Sequence, residues 1–189
     1  GEWRGGVKLV VALARLVPVK GIDVLIRAAR RVVSEYRETE TRFVVAGDGP
    51  LKQEYTRMIM KYGLRDVFSL AGFSSTPERL LSESYMLVMP SLYEPFGMPA
   101  AEAGASMRPV VASNTGGLAE IVVDGENGLL ARPGDPADLA DKIVWLLENE
   151  DAAREMGRRG RRRVLENYMP TSVAERYVET YRRVLANSR

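Results

Sequence analysis

Apolar positions along the chain fall into two alternating patterns. Residues 7–14 are apolar except at Lys8 and β-branched at their centre, and the run is too short for a typical helix. It reads as a buried parallel strand. After a break at Gly21, residues Ile22, Leu25, Ile26, Ala29, Val32, Val33 and Tyr36 recur at three- and four-residue spacing, one face of an amphipathic helix. Arg27, Arg30, Arg31 and Glu35 occupy its other face. The pattern repeats with a strand at 42–46, a tight Gly47-Asp48-Gly49-Pro50 turn, and a helix at 51–62 stopped by Gly63. Further strands are predicted at 67–70, 85–89, 109–112 and 128–131. Helices are predicted at 78–84, opened by Thr76 and Pro77, at 99–106 and at 118–123. From Pro136 onward the chain reads as three helical segments, separated near Asp151 and Met169-Pro170.

Strands alternating with helices in this way imply right-handed crossovers, hence an α/β, doubly wound parallel sheet with extra C-terminal helices. Ligands of such sheets sit beyond the carboxyl ends of the strands, where the strand order reverses. The loops to search are therefore 15–21, 47–50, 72–76, 91–98 and 113–118. The expected division is a nucleotide-binding unit at 1–170 and a terminal helix at 171–189.

Composition narrows the chemistry. With no cysteine and no histidine, disulfides, thiolate nucleophiles and imidazole bases are excluded, so carboxylates, cations, hydroxyls and backbone groups must act. The 27 basic and 25 acidic residues balance to +2, so no nucleic acid is expected as a partner on charge. The longest apolar stretch, 9–14, is far below the ~20 residues that span a bilayer, and no leader-like segment opens the sequence. The expected location is cytoplasmic.

Three loops carry charge or glycine in a pattern that chemistry can use. Arg15 and Lys20 lie five positions apart after the first strand; they suit a diphosphate, and on position alone equally suit two solvated surface cations. The loop after the fourth strand holds Glu94 in its turn and Glu102 eight residues later, about one turn inside the helix. The carboxylates either converge on one cleft or serve as a turn residue and a first-turn dipole partner. Gly97 allows close backbone approach, and Pro99 cannot donate, which leaves the Met98 and Ala100 N–H groups as helix-start donors. Gly116-Gly117 could line an anion site or simply turn the chain. No G-x-G-x-x-G follows the first strand, which argues against NAD or FAD. The cluster Arg158, Arg159, Arg161, Arg162 and Arg163 is read as a solvated helix face with Glu155 and Glu166 as partners.

In order, R-L-V-P-V-K-G, G-D-G-P, E-P-F-G-M-P-A-A-E and T-G-G resemble the C-terminal half of the retaining GT-B glycosyltransferases, most closely glycosyltransferase family four, also called group one. The resemblance implies a Rossmann-like donor-binding domain for a UDP-, ADP- or GDP-sugar, with no cofactor and no essential metal. It makes Arg15, Lys20 and Glu94 the catalytic group. The two cations would hold the diphosphate and Glu94 the donor sugar, beside the backbone of Phe96 and Gly97. Glu102 would take the ribose hydroxyls, and Met98 and Ala100 would offer N–H groups to phosphate or ribose. Gly47, Gly72 and Phe73 would border the base, and Gly116 and Gly117 the phosphates. In that family the acceptor site and usually a histidine lie in an N-terminal domain. This chain is therefore expected to be half of a hexosyltransferase acting on a saccharide, glucan or lipid-linked hydroxyl, and inactive alone. Any membrane contact would belong to the other domain, and self-association would run through the terminal helix. A non-catalytic nucleotide-sugar sensor, or half of a GT-B epimerase or phosphorylase, stands as the alternative.

Overall fold

The computed structural model describes residues 6–36 and 40–187; the outermost ends of the expected division at 1–170 and 171–189 lie outside them. Six strands form one parallel sheet: β1 (Lys8–Leu13), β2 (Thr41–Ala46), β3 (Phe68–Gly72), β4 (Met86–Met89), β5 (Val110–Ser113) and β6 (Gly128–Ala131). Their order is β3-β2-β1-β4-β5-β6, so the winding reverses between β1 and β4. The helices are α1 (Ile22–Glu35), α2 (Lys52–Lys61), α3 (Pro77–Glu83), α4 (Met98–Ala105), α5 (Leu118–Ile121), α6 (Pro136–Glu148), α7 (Glu150–Asn167) and α8 (Pro170–Asn187). Each predicted element is present within a few residues of its expected bounds. α5 is the exception in length, because the Asn127 side chain takes over its end. Asn127 Oδ1 accepts from Val123 N–H at 2.7 Å while its amide donates to Ile121 O at 3.0 Å.

Successive β1 residues point to opposite faces, as the pleat requires. Val10 and Ala12 join the core with Leu25, Val45 and Ile143, whereas Val11 joins Leu87, Ala112, Leu118 and Val164 on the other side. Lys8 shares the Val10 face and is buried among polar partners. Its ammonium donates to Tyr36 Oη at 2.9 Å and Leu147 O at 2.5 Å and pairs with Glu150 at 2.8 Å. The Tyr36 and Tyr85 rings stand 5.3 and 5.1 Å from it. Burial, and after it the Glu150 charge, raises the Tyr85 phenol above its ordinary pKa, so it stays a donor, to Leu146 O at 2.8 Å. This cluster ties the start of β1 to α1 and to the α6–α7 corner.

The arginine cluster of α7 is largely the expected solvated face, with Arg158, Arg159, Arg161 and Arg162 exposed and Arg163 half-buried. Arg158 and Arg159 do pair with Glu155. Arg161, however, donates to Ala105 O at the end of α4, and Arg163 donates to Glu120 O and Ile121 O at the end of α5. These cations satisfy helix-terminal carbonyls, where the dipole also favours them. α8 differs from every other long helix, since Val173, Tyr177, Val178 and Tyr181 of its apolar stripe are all exposed. It is joined to α7 through Ser172 Oγ to Leu165 O and Arg176 to Asn167 O. Among the described residues no helix is long and apolar enough to cross a membrane.

Candidate functional site at the β1–β4 crevice

Three loops interlock where the strand order reverses. After β1 the chain makes a short 3-10 turn, Pro18–Lys20, which Gly21 ends in the left-handed region at φ 63°. A Cβ at Gly21 would lie 2.1 Å from Pro90 O, so only glycine lets the loops after β1 and β4 touch. Leu92 N–H then donates to Val19 O at 2.8 Å. On the opposite flank the Asp48–Leu51 turn clamps the same loop, with Leu16 N–H on Asp48 O and Leu51 N–H on Leu16 O. From β5, Gly117 N–H donates to Glu94 O at 2.9 Å, and a Cβ at Gly116 would meet that oxygen at 2.2 Å. Gly116 and Gly117 therefore serve the close packing of the Glu94 loop. Gly117 N–H is consumed there rather than left to line an anion site.

The ionic centre of the crevice is one short pair. Lys20 Nζ lies 2.6 Å from Glu94 Oε2, which also accepts from Ser91 Oγ at 3.3 Å. A spacing of 74 residues conceals this pairing in the sequence, whereas Ser91 stands only three residues before the carboxylate. Arg15 is exposed and makes no ion pair among the described residues. The two cations thus differ: one is engaged and one is free.

Gly97, at φ 99°, caps the start of α4, whose first turn holds no acid. The dipole-partner alternative for Glu102 therefore falls; that side chain is exposed and has no ion pair among the described residues. The N–H groups of Phe96, Gly97 and Met98 have no protein acceptor among the described residues, a run of three donors at the mouth of the loop. Ala100 was expected as a free donor, but its N–H goes to Gly97 O at 2.9 Å. Around the donors, Leu92, Tyr93, Phe96 and Met98 are exposed apolar side chains. On the β2–β3 side, Gly47 N–H donates to Gly72 O at 2.7 Å, and Phe73 is 83% exposed. A depression of ≈ 460 Å³ there is lined by Ala46, Gly72, Phe73, Ser74 and Arg79 among others. Among the described residues no three acidic side chains gather to hold a metal ion.

The family described as glycosyl transferases group 1 matches residues 1–163. The chain belongs to that family. This group 1 glycosyltransferase chain is 35% identical over 176 residues to the poly(ribitol-phosphate) alpha-N-acetylglucosaminyltransferase of Staphylococcus aureus strain COL, covering 92% of this chain and 35% of that protein. Its fold superposes on S. aureus TarM, solved with UDP, fondaparinux and alpha-GlcNAc-glycerol, with a TM-score of 0.84 and 31% identity. That match covers 95% of this chain and 37% of TarM. A solved C-terminal domain of a group 1 family protein from Francisella tularensis matches with a TM-score of 0.76 and 27% identity, over 87% of this chain and 88% of that one. The Rossmann-like sheet is thus that of a GT-B glycosyltransferase, and the group 1 chain spans well under half the length of the curated relative it matches.

Proposed function

We propose that the chain is the donor-binding half of a retaining hexosyltransferase, which takes a nucleoside-diphosphate sugar and passes its sugar to a hydroxyl held by another domain. The observation that carries this reading is the crevice itself: the loops after β1 and β4, where the strand order reverses, carry a free guanidinium, an ammonium and three open N–H groups. Structures related to this chain contain UDP, and its likeness to a solved C-terminal domain over 87% of this chain and 88% of that one supports the role of one half.

In this reading Arg15 grips the diphosphate bidentately and Lys20 adds a point charge. As the bond from sugar to phosphate breaks, charge builds on the phosphate oxygens, and these two cations, rather than a resident metal, stabilise it. Glu94 accepts from hydroxyls of the donor sugar, and the N–H groups of Phe96, Gly97 and Met98 bind sugar or phosphate oxygens. Glu102 takes the ribose, while Gly47, Gly72 and Phe73 border the base. The acceptor and the wall that excludes water come from the other domain, so this chain alone has no transferase activity.

Calorimetry with UDP, ADP and GDP tests the reading. One of them binds, and Arg15→Ala weakens it about tenfold or more, since a charge-assisted phosphate contact contributes roughly 1.5 to 3 kcal/mol. Equal affinity of wild type and Arg15→Ala would remove the diphosphate role.

A further inference from the structure

We propose that the Lys20–Glu94 pair is a latch by which the site favours the intact nucleoside-diphosphate sugar over the bare nucleoside diphosphate that remains after transfer. The inference rests on the donor-binding reading and adds a discrimination that the reading does not require. Its basis is the way the two side chains are paired and shielded. The pair is short, at 2.6 Å, and largely shielded, with 23% of the lysine and 11% of the glutamate side chain exposed. Both printed partners of the carboxylate, Lys20 and Ser91, use Oε2. Oε1 has no protein donor among the described residues and is not sealed from solvent.

The backbones on either side are tied together at several points. Gly21 lies against Pro90, Leu92 is bonded to Val19, and Gly117 holds Glu94 O. What can move is the lysine stem, four flexible carbons carrying a compact charge. A diphosphate that draws the ammonium toward itself therefore takes it from Glu94. A bare nucleoside diphosphate then leaves a largely shielded carboxylate without its counter-charge, which is costly. A donor sugar seated beside it restores what was lost, because its hydroxyls donate to Oε1 and Oε2. The penalty falls on the spent nucleotide and spares the substrate, so the pair promotes product release without any moving loop.

A double-mutant cycle isolates the effect. Wild type, Glu94→Gln, Lys20→Met and the double variant are titrated by calorimetry or NMR with whichever of UDP, ADP and GDP binds, and with the corresponding nucleoside-diphosphate glucose. Glu94→Gln keeps the side-chain shape and Lys20→Met most of the lysine stem without its charge, and thermal melts confirm folding. Glu94→Gln tightens the bare nucleotide about fivefold, the scale of one partly exposed ion pair, and does not tighten the sugar donor. In the Lys20→Met background the same change alters nucleotide affinity less than twofold. Tightening that persists without Lys20 would be simple repulsion between carboxylate and phosphate, and would overturn the latch. So would an unchanged or weaker affinity in Glu94→Gln, the result if Lys20 served both partners at once. Wild type that binds none of the three nucleotides would remove the donor-binding reading and the latch with it, whereas a binding wild type with a flat cycle removes the latch alone.

Discussion

A lysine–glutamate pair flanks β1 on each side, Lys8 in its first position and Lys20 in the turn that follows it, and the two are built to opposite specifications. At the amino end, Lys8 is 1% exposed and its ammonium meets a phenol, a carbonyl, a carboxylate and two ring faces. At the carboxyl end, Lys20 is partly open and meets one carboxylate. A buried charge is tolerated only when its donors are filled, so Lys8 has nothing left to offer a ligand and acts as a rivet for α1, α6 and α7. Lys20 keeps donors in reserve. The contrast shows that burial and satisfaction of the ammonium, rather than the presence of an ion pair, separate a structural lysine from one that can bind.

The largest expected effect that could break this contrast is at Lys8. Lys8→Ala removes the donor shared by Tyr36, Leu147 and Glu150, leaving only the Tyr36 hydroxyl on Leu147 O, and denaturant unfolding should show a loss of about 3 kcal/mol or more. Nucleotide affinity of the folded variant should change less than about twofold. Lys20→Ala should do the reverse, weakening a nucleoside-diphosphate sugar about tenfold in calorimetry while costing less than about 1 kcal/mol of stability. If the stability losses were equal, the two pairs would not differ in kind. The smallest effect sharpens the contrast within the rivet itself. Glu150 is 39% exposed in its side chain, so Glu150→Gln should cost under about 1 kcal/mol in the same unfolding measurement, which leaves the phenol and carbonyl contacts as the main support of Lys8.

The sheet was legible because hydrophobic spacing records secondary structure locally, and the reversal between β1 and β4 put the candidate loops at its crevice. Pairings between distant residues were not legible. Lys8 looked like an interruption in an apolar run, and nothing nearby in sequence announces Leu147 or Glu150. The sequence points to Lys20 and Glu94 separately, yet their contact goes with Gly21 meeting Pro90, a close approach that no spacing encodes. The carbonyls that Arg161 and Arg163 satisfy belong to other helices, so those bonds leave no trace in the local spacing of α7. Periodicity has the same limit in α1 and α8. Both carry an apolar stripe, but Leu25 and Ile26 of α1 are buried and Tyr177 and Tyr181 of α8 are exposed; the pattern specifies a face and is silent on what covers it.

The account depends most on ligand binding at the β1–β4 crevice, and amide chemical-shift mapping of the chain during titration with UDP, ADP and GDP tests it most directly. One nucleotide should produce saturable shifts concentrated at residues 15–21 and 94–98, including the open N–H groups of Phe96, Gly97 and Met98, with little change around Lys8 and Glu150. Saturable shifts that leave residues 15–21 and 94–98 unmoved, or no saturable shifts with any of the three, would contradict it.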